Sequence, residues 1–235
     1  MAEGDFDIDG LAAYLHIAPQ QVMRLADRGK LPGRKVAGQW RFHRADIHHW
    51  LETRIGVSCE EELLEVEGVL QRAAPSAAEE EVSIAALLPM EAIAIPLAAR
   101  TKPSVIRDMV DLVTATGLLW DPEKMAEAVR CREELHPTAL DNGVALLHPR
   151  RPMASILGGA VLALGRTPTG IPFGGSRGLL TDVYFLICSV DDAGHLRVLA
   201  RLSRLIGVSG FLDRLRDVDS AASARALIAE TEQTL

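Results

Sequence analysis

The sequence predicts two domains: a small, mainly helical one that includes a hairpin, then an α/β domain in which a mixed central sheet is flanked by helices. Three observations carry this. The 235 residues exceed the usual length of one domain. Charge is unevenly divided: Arg24, Arg28, Lys30, Arg34, Lys35, Arg41 and Arg44 stand between positions 21 and 44 against Asp27 alone, so this segment carries +6 and the remainder −13 of a net −7. Beyond about position 84, helical periodicity is interleaved with apolar runs of strand character. These divisions place the first domain at residues 1–56, an acidic and partly helical connector at 57–83 and the second domain at 84–235.

In the first domain Leu11, Ala12, Tyr14 and Leu15 form one apolar helical face, and Ile17 follows in a turn. A second helix is expected over "APQQVMRLADRG", with Val22, Leu25 and Ala26 inward, Arg24 and Arg28 outward, and Gly29 as its stop. Two short strand-like runs, "GRKV" and "QWRF", meet at Ala37 and Gly38, and alternation sets Trp40 and Phe42 opposite Arg41. A last short helix runs from Ala45 to about Arg54. The connector sets eight acids against Arg72, has Leu63, Val66 and Leu70 at helical spacing, and passes through "AAPSAAEEE", which reads as a hinge. Its helix is equally suited to pair with a second copy of itself or to pack on its own domain.

In the second domain, "TKPS" caps a helix over "VIRDMVDLVTATGLL" that ends at Gly117. Asp121 and Pro122 open another, "DPEKMAEAVRCREEL". "GVALLH", "ASILGGAVLALG" and "DVYFLICSV" read as buried strands. "HLRVLARLSRLIG" is a helix with Leu196, Leu199, Leu202 and Leu205 along one side, and two shorter helices finish the chain.

Composition narrows the function classes. Apolar residues at 48% and charged residues at 24% are ordinary globular values, against disorder. The longest apolar runs fall short of the roughly 20 residues of a spanning helix, so no membrane insertion is expected. The acidic start "MAEGDFDIDG" lacks a secretory pattern, so the cytoplasm is the expected location. Cys59, Cys131 and Cys188 have no metal-ligand spacing, and His48 and His49 point apart on a helix; the sequence therefore predicts neither metal nor cofactor.

The stretches "LAAYLHIAPQQVMRLADRGKLP" and "VAGQWRFHRADIHHWL" resemble the excisionase and MerR-type winged helix-turn-helix family over residues 7–54. That resemblance implies a DNA-binding domain whose second helix enters the major groove. Gln20, Gln21 and Arg24 would then face base edges, and Arg28, Lys35, Arg41 and Arg44 would meet phosphates. The bland alternative is that these charges only keep a small domain soluble. A homodimer reading two half-sites is expected.

The stretch "REELHPTALDNGVALLHPRRP" resembles the active-site signature of the phosphotransferase-system enzyme IIA domain of the mannitol, fructose and nitrogen-regulatory type, and the likeness extends from Ile84 to Leu235. It implies that His148 accepts a phosphoryl group from a histidine phosphocarrier or an enzyme IIB, as a phosphocarrier rather than a turnover enzyme. Imidazole suits this because it is neutral and nucleophilic near pH 7. Arg132, Thr138 and His195 would surround the phosphoryl oxygens, while Glu133 would fix Arg132 or cap a helix. Arg177, in "GGSRG", would add positive charge in a loop near the site; a plain surface turn is an equal alternative. Two residues depart from the family: Leu147 stands where it has proline, and Pro149 where it has glycine. The expected function is a transcriptional regulator that couples carbon or nitrogen status to DNA binding through His148. The alternatives are a phosphocarrier of sugar uptake and a non-phosphorylatable docking domain on a DNA-binding protein.

Overall fold

A computed structural model of the chain describes residues 5–15, 18–43, 46, 47, 50, 82–175 and 178–235. The chain divides into two compact units, Met1–Glu81 and Val82–Leu235. The acidic connector up to residue 81, with Cys59, lies outside the described residues, as do Ile17, Arg44, His48, His49, Arg177 and all but residues 46, 47 and 50 of the helix expected from Ala45 to about Arg54.

In the first unit, strand β1 (Asp5–Phe6) leads into helix α1 (Ile8–Leu15), whose first turn is tied by the Gly10 N–H to the Asp7 carboxylate at 2.7 Å. Helix α2 (Pro19–Asp27) starts on a proline, which suits the first turn because that N–H has no helical partner. The expected hairpin is β2 (Arg34–Val36) and β3 (Gln39–His43). Ala37 at φ +50° and Gly38 at φ +82° form its turn, the double positive φ of tight hairpins. Strand β1 was not expected from sequence; at two residues it is too short to show alternation, and it completes an antiparallel sheet in the order β1-β3-β2. Leu11, Leu15, Val22, Ala26, Leu31, Phe42 and Ile47 are buried as a small core. Gly33 is required there, since a Cβ would meet the Phe42 ring at 2.6 Å.

The second unit opens with α3 (Ile84–Leu87) and β4 (Ile93–Ala94), two short elements not expected from sequence. Helix α4 (Lys102–Ala115) carries a reciprocal cap in which Thr101 and Ser104 satisfy each other's backbone N–H. Helix α5 (Pro122–Leu135) begins at the expected Asp121 cap and Pro122. Strands β5 (Val144–Leu147), β6 (Val161–Pro172) and β7 (Leu180–Cys188) follow, then α6 (Asp192–Gly207), α7 (Phe211–Asp217) and α8 (Ala221–Glu232). The sheet order is β4-β6-β7-β5, with β4 and β6 parallel, β6 and β7 antiparallel, and β5 and β7 parallel: a mixed sheet flanked by helices. Ala145, Leu147, Ala163, Tyr184 and Leu186 pack with Val105, Met109 and Val113 of α4 and Met125 and Val129 of α5, while α6 packs against β7.

The run "ASILGGAVLALG" is not one strand. Ala154–Ile156 form a 3-10 turn, and Gly158 and Gly159 separate it from β6. The first half pairs locally instead: Trp120 N–H donates to Ile156 O at 2.9 Å and Gly158 N–H to Leu118 O at 2.8 Å. Strand β6 then runs further than expected, through a register shift between Arg166 and Ile171 where Pro168 has no N–H to give to a ladder.

Candidate functional site

Strands β5 and β7 are parallel neighbours, so their carboxyl ends lie side by side. In α/β sheets such ends are where ligands are met. His148 directly follows β5, and Ser189 and His195 follow β7. The two imidazole rings stand 5.1 Å apart, centroid to centroid, inclined at 55°. Both are buried, His148 to 3% exposure and His195 to 2%. The Nδ1 of His148 lies 2.7 Å from the Leu146 carbonyl oxygen, which can only accept. Nδ1 is therefore the donor in this hydrogen bond. His195 is in the first turn of α6, with its Nδ1 3.2 Å from Ser189 Oγ. The N-terminus of a 16-residue helix adds a positive dipole end, favourable to an anion.

The other expected residues lie on the segment that joins α5 to β5. Arg132 is buried in the last turn of α5 and gives Nη1 to the His136 carbonyl at 2.6 Å. Thr138 is buried and donates both its N–H, at 3.0 Å, and its hydroxyl to Glu133 Oε1. Glu133, beside Arg132 on α5, is buried as well. Its buried carboxylate pairs with Lys102 Nζ at 2.8 Å and receives Thr138, because α4 delivers a cation beside it. Gly174, at φ +91°, lies against Pro137 so closely that a Cβ would come within 2.6 Å, which sets the start of the "GGSRG" loop beside this segment. Leu147 and Pro149 are both buried. Cys188 is core, and burial pushes its thiol up to about 12.

Sequence reasoning missed Lys102 and Ser189. Lys102 was visible only as part of a helix cap, and Ser189 as the residue between a strand and a helix. No signal in the sequence links Lys102 to Glu133, 31 positions away.

In the first unit, Gln20, Gln21, Arg24 and Arg28 are exposed on or just beyond α2, and Arg24 Nε reaches the Gln20 carbonyl at 3.4 Å. Met23, 42% exposed between them, was also missed. Lys35 lies 3.7 Å from Asp27 Oδ1 and 5.0 Å over the Trp40 ring, whose indole N–H also donates to Asp27 at 3.3 Å. Arg41 is half-buried and gives Nη2 to Gln39 at 3.1 Å. Among the described residues no three His, Cys, Asp or Glu side chains converge as a metal site requires, and no helix is long and apolar enough to cross a membrane.

A helix-turn-helix unit joined to an α/β unit with a histidine pair at the carboxyl ends of parallel strands defines the class. Residues 86–231 match the family described as phosphoenolpyruvate-dependent sugar phosphotransferase system, EIIA 2, and residues 6–55 match a helix-turn-helix domain. The chain belongs to that EIIA family. It is 30% identical over 127 residues to the PTS system fructose-specific EIIABC component of Bacillus subtilis, covering 53% of this chain but only 20% of that protein. To the nitrogen regulatory protein of Bradyrhizobium diazoefficiens it is 32% identical over 143 residues, covering 60% of this chain and 84% of the relative. The crystal structure of nitrogen regulatory protein IIA-Ntr from Neisseria meningitidis superposes with a TM-score of 0.54 at 24% identity, over 62% of this chain and 98% of that one. The IIAMtl complex with phosphorylated IIBMtl from Escherichia coli gives 0.52 at 22%, over 60% and 95%.

Proposed function

We propose that this protein is a DNA-binding regulator whose EIIA-type unit accepts a phosphoryl group on Nε2 of His148. In this reading residues 1–56 bind DNA, residues 57–83 connect, residues 84–235 receive the phosphoryl group, and the protein works as a homodimer in the cytoplasm. The observation that carries it is the 2.7 Å contact of His148 Nδ1 to the Leu146 carbonyl, which keeps the proton off Nε2, beside His195 and the start of α6. A phosphohistidine of a histidine phosphocarrier or an enzyme IIB gives up its P–N bond as the new bond to Nε2 forms. The transition state is metaphosphate-like and stabilised by position and charge, which is the part assigned to His195 and Arg132. Because Thr138 gives its hydroxyl to Glu133, its contribution is to hold the segment before β5 in place. A phosphoryl group adds about −1.5 to −2 of charge at neutral pH, and in a chain with a basic helix-turn-helix unit that charge alters contacts which set DNA affinity.

Incubating the full chain with enzyme I, a histidine phosphocarrier and labelled phosphoenolpyruvate tests the reading. Acid-labile label is expected on the wild type and none on His148→Ala. A second reading, an inert docking domain, draws on the 3% exposure of His148 and on Pro149, which has no N–H to offer a phosphate. A wild type that takes no label decides for it.

A further inference from the structure

We propose that Glu133, held by Lys102, is a positioning residue that sets the tautomer of His148. The argument starts at the free edge of β5, along which residues 138–140 are laid antiparallel. Ala139 bridges Ala145, Leu140 N–H donates to Val144 O at 2.7 Å, and Leu146 N–H donates to Thr138 O at 3.3 Å. Residues placed as Thr138 and Leu146 are here exchange two hydrogen bonds in a regular ladder, each N–H to the other's carbonyl. Only the first half of that exchange is made. Thr138 N–H turns away to Glu133 Oε1 at 3.0 Å, and the Leu146 carbonyl receives His148 Nδ1 at 2.7 Å in its place. Glu133 thus ends the ladder one bond early and hands the carbonyl to the imidazole.

Lys102 keeps the carboxylate where it can do this. Its ammonium lies 2.8 Å from Glu133 Oε2, 3.4 Å from the Glu133 carbonyl oxygen and 4.9 Å from the centre of the Phe173 ring. Glu133 is 2% exposed, and a carboxylate so buried persists only when paired. The pair therefore acts on the reactive nitrogen from a distance: with Leu146 holding Nδ1–H, Nε2 is the nucleophile.

This deepens the reading of His148 as the phosphoacceptor, and its test does not depend on phosphoryl transfer. Full-length protein labelled with nitrogen-15 histidine, with the His148 signals assigned through His148→Gln, reports the tautomer by long-range proton–nitrogen correlation. The Nδ1–H form is expected in the wild type and in Glu133→Gln, which keeps an acceptor for Thr138. In Lys102→Met/Glu133→Leu, which leaves no lone buried charge, the ratio of tautomers is expected to shift toward Nε2–H by about tenfold, the scale of one lost hydrogen bond. Should that double variant not fold, Glu133→Ala against Glu133→Gln carries the same comparison. A folded variant lacking the carboxylate that keeps His148 as Nδ1–H overturns the proposal. A tautomer shift in a protein whose wild type takes no label upholds it and sinks the phosphoacceptor reading alone.

Discussion

Asp27 and Glu232 each hold a basic side chain, in opposite surroundings. Asp27, at the end of α2, lies 3.7 Å from Lys35 with both side chains more than half exposed, at 53% and 57%. Glu232, at the end of α8, lies 3.5 Å from Arg201 with both nearly out of reach of water, at 7% and 8%. Glu232 also accepts the N–H groups of Ile84 and Ala85 at 2.6 and 3.0 Å and the Ser83 hydroxyl at 3.0 Å, which fastens the start of the second unit to its last helix. In water an ion pair is weak and exchangeable, so Lys35 is held only loosely by Asp27. Within a core a charge is fixed by the cost of leaving it alone, so the second unit is suited to holding groups in one geometry.

The largest effect expected from this difference is at Glu232. Replacing it by alanine removes the counter-charge of the buried Arg201 and the acceptor of two backbone N–H groups. Loss of one partner of a buried pair costs about 3–5 kcal/mol. Urea denaturation of Glu232→Ala followed by circular dichroism checks this. A change below about 1 kcal/mol would show that Arg201 reaches water easily, and the contrast with Asp27 would collapse.

Next in size are the DNA effects of the first unit, which belong to the proposed DNA-binding role. Arg24→Ala is expected to cost about 1–3 kcal/mol of discrimination between preferred and random duplexes, as a base-edge contact should. Arg41→Ala should weaken binding to all duplexes alike and lower the slope of log affinity against log salt by about 0.9, the value of one phosphate contact. Gel shifts over a series of salt concentrations separate the two outcomes. Equal losses on every sequence from Arg24→Ala would remove that residue from base recognition.

How much of this was legible in the sequence depends on the separation between partners. The N-terminal cap of α5 and the turn at Ala37 and Gly38 were readable because their chemistry is complete within four residues. The central strands showed as apolar runs, but the break at Gly158 and Gly159 did not, because what draws Ile156 away from β6 is Trp120, which lies on a different stretch of chain. His148 and His195 were picked out by resemblance to a family. That they meet follows from β5 and β7 being parallel neighbours, a pairing no local pattern encodes. The Lys102–Glu133 pair and the Ser83–Glu232 clasp join residues 31 and 149 positions apart, and each partner reads in isolation as an ordinary surface polar residue.

The smallest effect, and the sharpest use of the comparison, is at Asp27. Asp27→Asn removes the negative charge beside Lys35 while the amide oxygen can still accept the Trp40 indole N–H, so the hairpin keeps its tie to α2. An exposed pair contributes about 0–1 kcal/mol, and a stability loss within that range is expected in the same urea experiment that measures Glu232→Ala. On DNA the sign reverses. Asp27 is the one acid among the seven bases of residues 21–44, so its loss raises the local charge from +6 to +7 and should tighten binding to any duplex at low salt by a few-fold, an effect that fades as salt screens it. A variant that is less stable by several kcal/mol would mean that Asp27 braces the hairpin as Glu232 braces the second unit. A variant with unchanged stability and unchanged low-salt affinity would mean that Lys35 is too far from the DNA to sense its neighbour.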